Sequence, residues 1–240
     1  MRVVMLSDAH AAGPQDDSQV SLVRWLDRLE ADELLLLGDV FHHWWGFPGV
    51  VWPPYLPLVE ALGRVTARGI TLRYLPGNHD FVLGDVLLDD VGVLPLVPGS
   101  VTRDGLRLWL AHGDEADDSR GYQWTRRVLR GRPFAGLMRT LGPERGHRLL
   151  RRLAGVSRQH GGELTPLLDR QRAWALPLLG AEADVVVMGH IHVPRVESYP
   201  QGQIVYLGDW VEHRTWLRVD DGVPALLQGE QGLPFEVARP

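Results

Sequence analysis

Six short apolar runs punctuate this chain, and each ends in polar side chains of the same few kinds. Residues 3–6 lead into SDAH, 34–37 into GDVFHHWWG, 71–75 into PGNHD, 106–111 into HGDEAD, 185–188 into GHIH and 204–207 into GDW. Apolar, β-prone runs of this length bounded by turn residues have the pattern of buried strands. A Pro and a Gly suffice to turn such a chain, so Asn78, His79 and Asp80 add three polar groups that the interior must satisfy. Their recurrence at successive strand ends predicts one site assembled from many loops, because loops beyond rigid strands are where a layered fold carries its chemistry.

Between the runs the period changes. Residues 19–30 space Val20, Val23, Trp25, Leu26 and Leu29 along one helical face, and residues 56–68 do the same with Leu58, Val59, Leu62 and Val65. Strands alternating with helices predict an α/β or α+β layered domain, and 240 residues are enough for one large domain, 1–240, with a substantial core. The opening apolar segment is broken by Asp8 too early for the core of a signal peptide, and no later stretch reaches membrane-spanning length. The expectation is a soluble, cytoplasmic protein. Nothing in the sequence specifies an oligomeric state.

The chain has no Cys, so disulfides and thiolate ligands are excluded, and a transition metal would have to be held by His, Asp, Asn or Glu. All 25 basic residues are Arg, and the net charge of -5 conceals a basic segment: residues 120–172 hold 13 Arg against Glu144, Glu163 and Asp169. That segment is either a solvated helical face or an anion-binding surface.

Taken singly, each polar strand end is unremarkable, since a lone His is more often a hydrogen-bonded core residue than a ligand. The joint pattern is the signal: Asp8, His10, Asp39, Asn78, His79, His112, His190 and His192 occupy equivalent positions. So many carboxylates and imidazoles in one place are costly unless a cation neutralises them. In D-x-H and H-x-H the two ligands are two residues apart, which on an extended backbone points both to one side. Asp39 has two oxygens with which to bridge two cations, and Asn78 offers a neutral carbonyl oxygen. Seven of these oxygen and imidazole donors, all but His79, suit two divalent cations such as Mn, Fe, Zn or Co, and the residues alone do not choose among them.

In this order D-x-H, GDVF, GNHD, HGD and GHIH resemble the five signature blocks of the calcineurin-like metallophosphoesterases, over residues 8–192. The resemblance implies a four-layer α/β/β/α sandwich with two sheets face to face and helices outside. It also implies Asp8, His10, Asp39 and His192 on one metal and Asp39, Asn78, His112 and His190 on the other, with Asp39 as the bridge. Two neighbouring cations lower the pKa of a shared water and clamp phosphoryl oxygens during in-line displacement, so no Ser or Cys nucleophile is required. His79, beside Asn78, would then protonate the leaving group or stabilise phosphoryl charge, with Asp80 orienting its imidazole. The plain alternative for His79 is a structural strand-end residue.

GDVFHHWWG, HGDEADDSRGYQ and LGDWVEH further resemble the UDP-2,3-diacylglucosamine pyrophosphohydrolases of lipid A synthesis and their relatives. That resemblance implies cleavage of a pyrophosphate in a nucleotide lipid to UMP and a lipid phosphate. It also implies a helical cap inserted at residues 122–160, peripheral contact with the inner membrane surface, and substrate contacts at Asn78, His79, Asp118, Tyr122, Arg151 and Arg152. One position departs from those enzymes, in which an Arg commonly stands where this chain has His79. Within the insertion, Leu149, Leu150 and Leu153 alternate with Arg148, Arg151 and Arg152, after a stretch rich in apolar residues with breaks at Gly131 and Pro133. This pattern fits either a cap over a lipid with an anionic headgroup or a helical hairpin packed on the sandwich.

Trp44, Trp45 and Trp52 either line an acyl or base pocket or fill the space beneath a long loop, and His42 and His43, close to Asp39, match no ligand position of the family. The competing function is a phosphodiesterase or nuclease acting on other nucleotides or nucleic acid, against which stand the acidity of the whole and the Leu periodicity of the basic segment. A metal-free scaffold is disfavoured because all seven ligand types are present. Residues from Asp220 onward read as edge strands or a tail.

Overall fold

Val3 and Met5 point to one side of the first strand and Val4 and Leu6 to the other, and all four are buried, so this strand must be covered on both faces. The computed structural model, which describes residues 1–159 and 164–236, supplies both covers. In chain order the first strands are β1 (Arg2–Leu6), β2 (Glu33–Leu36), β3 (Trp44–Trp45), β4 (Thr71–Tyr74), β5 (Asp80–Val82), β6 (Leu94–Pro95) and β7 (Gly99–Arg103). They are followed by β8 (Leu106–Leu110), β9 (Val185–Met188), β10 (Pro194–Tyr199), β11 (Gly202–Leu207), β12 (Thr215–Asp220), β13 (Val223–Gln228) and β14 (Leu233–Pro234). The helices are α1 (Asp17–Arg28), α2 (Leu56–Ala67), α3 (Arg120–Leu129), α4 (Arg132–Gln159) and α5 (Leu164–Ala175).

One sheet has the order β14-β13-β12-β1-β2-β4-β6 and the other β10-β11-β9-β8-β7. Their facing sides share one core, in which Val3, Met5, Leu35, Leu37, Leu217 and Val219 of the first sheet meet Leu108, Leu110, Val185, Val187, Val205 and Leu207 of the second. On the outer side of the first sheet, Val4, Leu6, Leu34, Leu36 and Leu72 pack against Leu22, Trp25 and Leu26 of α1 and Leu58, Leu62 and Val65 of α2. Outside the second, Val186, Met188, Ile204 and Tyr206 pack against Leu168 and Ala175 of α5. The layers therefore run α/β/β/α, the sandwich that the motif resemblance implies.

α1 starts where the Asp16 side chain accepts from the Ser18 amide, a cap that satisfies one of the donors left open at a helix N-terminus. α4 is broken at Gly142, whose φ of 71° lies outside the helical region and which precedes Pro143, a neighbour that disfavours helical backbone. Phe134, Met138 and Leu150 of α4 form a separate small cluster with Trp45 and Phe47. No helix among the described residues is long and apolar enough to cross a membrane.

The parallel pairings set the site. Val4 lies opposite Leu34 and Leu36 opposite Tyr74, so β1, β2 and β4 finish level. Leu110 opposite Val187 brings β8 and β9 level in the other sheet. Every predicted ligand thereby falls at one end of the sandwich, just past the carboxyl ends of parallel strands.

Candidate metal centre

The loops after β1 and β2 run side by side. The amides of Asp8, His10 and Ala11 donate to the carbonyls of Gly38, Asp39 and Val40 at 3.0, 2.9 and 2.9 Å. Eight non-glycine residues among those described have positive φ, and five of them are predicted ligands: Asp8 (53°), His10 (43°), Asp39 (53°), His190 (73°) and His192 (56°). Each such conformation costs on the order of 1–3 kcal/mol and persists only where the surroundings over-determine it, which is typical of functional sites. The glycines of the motifs have a related cause. A Cβ on Gly77 would overlap the Asp39 carboxylate, and one on Gly189 would overlap Ser7 and Asp8.

The donors form two groups, Asp8 with His10 and His192, and Asp39 with His112 and His190, each within 4.8 Å. In the first, His10 Nε2 is 3.1 Å from His192 Nε2, and Asp8 Oδ1 is 3.4 Å from His192 Nε2 and 3.8 Å from His10 Nε2. In the second, His112 Nε2 is 3.1 Å from Asn78 Oδ1 and 3.5 Å from Asp39 Oδ2. Asp39 Oδ2 also lies 3.9 Å from His10 Nε2, so this one oxygen reaches both groups. Ligands about 2.1 Å from a common ion sit about 3 Å from one another, which is close to these spacings.

Several ligands have their outer atom tied to backbone and their inner atom turned to the centre. Asp39 Oδ1 accepts from the His79 amide at 2.8 Å, Asp8 Oδ2 accepts from the His190 amide at 2.8 Å, and His112 Nδ1 donates to the Leu37 carbonyl at 2.8 Å. Such outer contacts fix ligand orientation. Asp8 Oδ1 is buried with no hydrogen-bond partner, an orphan that a cation would satisfy. Oxygen and imidazole donors so placed fit divalent cations.

The electrostatics agree. Burial pushes the Asp8 carboxyl up, but the neighbouring His192 and His112 imidazoles outweigh that and hold it at about 2. Asp39 is held well below the ordinary range, against burial, chiefly by the charges of His112 and His79. Burial takes His10 down to about 3 despite both carboxylates. It works against His112 as well, yet Asp39 raises that imidazole well above its usual value. Asp8 and Asp39 are thus held ionised beside a neutral His10, the protonation states in which such side chains can ligate a cation.

His79 is buried, donates through Nδ1 to the His42 carbonyl at 2.8 Å, and meets the His10 ring edge-on with centroids 4.9 Å apart. Nε2 is thereby the atom left to face the donors, and one nitrogen each from His10, His42 and His79 lie within 4.8 Å. His42, which the sequence places close to Asp39 as a candidate phosphate contact without matching a ligand position, lies beside these donors. The orientation of His79 expected from Asp80 falls instead to that carbonyl. Asp80 is fully buried and accepts from the amides of Val40 (3.0 Å) and Gly77 (2.5 Å) and from the Tyr74 hydroxyl. Its partners are thus the backbone and Tyr74 rather than His79, and burial together with the Asp39 charge pushes its carboxyl up to about 6.

The expected substrate residues are spread more widely. Tyr122 donates its hydroxyl to Asp114 Oδ2 at 2.8 Å, so that group is engaged within the protein. Asp118 is exposed on the loop before α3, and Arg151 and Arg152 are exposed on α4. On the inner side of α4, His147 Nε2 is 3.2 Å from His43 Nε2, and Trp52 stacks on the His147 ring with centroids 3.6 Å apart. Trp44 stacks on Phe41 in the core, and Trp45 meets Phe134 of α4 edge-on. The Trp-rich loop thus seats α4.

Asp209, which follows the sixth run, accepts from His213 Nδ1 at 2.6 Å, while the neighbouring Trp210 amide donates to the Asp8 carbonyl at 3.2 Å. The sequence marked GDW as a strand end but supplied no partner for its Asp.

The family model for calcineurin-like phosphoesterases matches residues 1–194. A UDP-2,3-diacylglucosamine hydrolase of Pseudomonas putida is 30% identical over 246 residues, covering 98% of this chain and 99% of that protein. One from Aeromonas hydrophila is 28% identical over 241 residues, covering 95% and 98%. A phosphoesterase from E. coli of known structure has a TM-score of 0.47 at 18% identity, over 95% of this chain and 92% of that one. With most of its length matched in this way, the chain belongs to the calcineurin-like phosphoesterases, a family of metal-dependent hydrolases.

Proposed function

We propose that this protein hydrolyses the pyrophosphate of a UDP-2,3-diacylglucosamine-like nucleotide lipid, giving UMP and a lipid phosphate. In this reading Asp8, His10, Asp39 and His192 hold one divalent cation, Mn foremost, and Asp39, Asn78, His112 and His190 a second. The observation that carries it is the position of Asp39 Oδ2, 3.5 Å from His112 Nε2 and 3.9 Å from His10 Nε2. Cations bound there supply the positive charge that acidifies a water and neutralises phosphoryl oxygens. The protein's own groups do the rest. His79, fixed through Nδ1–H by the His42 carbonyl, would act in its doubly protonated form, giving the Nε2 proton to the leaving oxygen as the bond to phosphorus breaks and being left as the neutral imidazole. Asp80 holds the loop that carries Asn78 and His79 against the end of β2.

The lipid substrate is supported by the two hydrolases named above and by α3 and α4, which we assign to the cap expected at residues 122–160, of which residue 160 lies outside the described residues. Exposed Trp124, Val128 and Leu137 on these helices suit peripheral contact with a membrane surface. Nucleic acid is a poorer fit, because the whole chain is acidic and part of the basic segment is already paired: Arg126 with Asp114, Arg148 with Glu144, Arg170 with Asp117, and Arg172 with Glu197.

The test is to incubate Mn-loaded protein with UDP-sugar lipids, dinucleotides and single-stranded nucleic acid, and to identify products by mass. UMP with a lipid phosphate is expected, and nucleotide release from the nucleic acid alone would overturn the reading. Arg151→Ala and Arg152→Ala should raise KM for the nucleotide lipid while leaving KM for a small chromogenic diester in place; equal effects on both would remove these residues from substrate binding. His79→Ala should lower kcat by about a hundredfold with metal content unchanged. Loss of metal from that variant would assign His79 to the cation site instead.

A further inference from the structure

α3 is fastened to two of the loops that carry the second donor group, those of Asn78 and His112. Arg130, at the C-terminal cap of α3, donates from Nη2 to the Gly77 carbonyl at 2.7 Å and to the Pro76 carbonyl at 3.4 Å. Gly77 immediately precedes Asn78 and is pressed against the Asp39 carboxylate, so little slack separates the held carbonyl from the ligands. About one turn earlier, Arg126 Nε lies 3.0 Å from Asp114 Oδ2, and Tyr122 donates to the same oxygen. Arg130 Nη2 is 3.9 Å from it. Asp114 is fully buried and stands two residues after His112. Among the described residues, no hydrogen bond or ion pair joins α3 to the loops that carry Asp8, His10 or His192.

We infer that Arg130 is a positioning residue which, anchored beside Asp114 and acting through the Gly77 carbonyl, holds Asn78 and His112 at the separation a cation requires. α3 thereby sets the affinity of one cation site and not the other. The inference rests on the two-cation reading above. Its physical basis is general: contacts behind a metal ligand restrict where the ligand can sit, and removing one typically weakens metal affinity by about 10- to 100-fold.

The experiment titrates the metal-stripped chain with MnCl2 in a calorimeter, wild type beside Arg130→Ala, with far-UV circular dichroism to confirm the fold. Wild type is expected to take up two Mn per chain. In Arg130→Ala one binding event should weaken by about 10- to 100-fold while the other stays within about twofold. Arg130→Lys, which returns a donor to the Gly77 carbonyl, should recover most of the loss. Arg127→Ala, an exposed change on the same helix, should leave both events in place. Unaltered binding in Arg130→Ala, or equal weakening of both events, overturns the inference. If that variant does not fold, Arg130→Gln decides by the same criterion. Two Mn in wild type with no change in the variant would sink this inference alone, whereas fewer than two in wild type would sink the two-cation reading and this inference with it.

Discussion

Asp39→Ala is expected to lower kcat/KM for a phosphodiester by about a thousandfold or more, equivalent to about 4 kcal/mol of transition-state stabilisation. The size of the effect follows from how many roles one carboxylate combines. Its Oδ2 is the oxygen that reaches both donor groups, at 3.5 Å from His112 Nε2 and 3.9 Å from His10 Nε2. Its Oδ1 accepts from the His79 amide at 2.8 Å, so the same truncation also loosens the loop that carries the proposed proton donor. Without the Asp39 charge, His112 loses the main influence that raises its pKa against the pull of burial. Elemental analysis should therefore find bound Mn reduced together with turnover. Asp39→Asn separates the roles, since it keeps an acceptor for the His79 amide but loses the anion. It should hold the loop yet remain nearly as inactive as the alanine variant. Wild-type turnover in Asp39→Ala would end the two-cation reading.

That these donors meet in space is legible in the sequence because sheet periodicity is simple. Level parallel strands make the residues just beyond each apolar run neighbours in space, so a list of strand ends amounts to a list of site residues. The hairpins have a local signal of their own, which the strand-end pattern does not draw on. Asp104-Gly105 and Asp221-Gly222 are both Asp-Gly pairs with positive φ at each residue, the tight turn that joins β7 to β8 and β12 to β13. Of the stretch from Asp220 onward, the residues as far as 234 extend the first sheet through β13 and β14, and residues 237–240 lie outside the described residues. Asp80 was misjudged because adjacency in sequence suggested contact with His79. Asp80 opens β5, and successive side chains on extended backbone point to opposite sides, so His79 faces the donors while Asp80 turns into the interior. The group that does hold His79 is a backbone carbonyl, which residue identity cannot reveal. Tyr122 with Asp114 and His43 with His147 depend on how α3 and α4 lie on the sandwich, and no local period encodes that placement.

The same orientation of Asp80 makes it the second position of large expected effect, in stability rather than chemistry. Its carboxylate ties three elements: the Val40 amide just past β2, the Tyr74 hydroxyl at the end of β4, and the Gly77 amide in the loop between β4 and β5. Asp80→Ala leaves these three buried donors without an acceptor, at about 1–3 kcal/mol each. Part of that is offset, because burial and the Asp39 charge already disfavour the ionised carboxyl, whose pKa is raised to about 6. A net loss of about 3 kcal/mol remains, which for a chain of this size lowers Tm by about 10 °C. Asp80→Asn keeps one acceptor oxygen but turns an amide N–H toward the remaining donors, so it should recover only part of the loss. The released loop begins at Pro76 and carries Asn78, so added Mn should raise the melting temperature of Asp80→Ala less than that of wild type, since a ligand stabilises a protein in proportion to how tightly the folded form holds it. Calorimetric melting with and without Mn measures both effects. An Asp80→Ala protein that melts with wild type in both conditions would show that the three donors find other partners, and that the loop before Asn78 is held by something else.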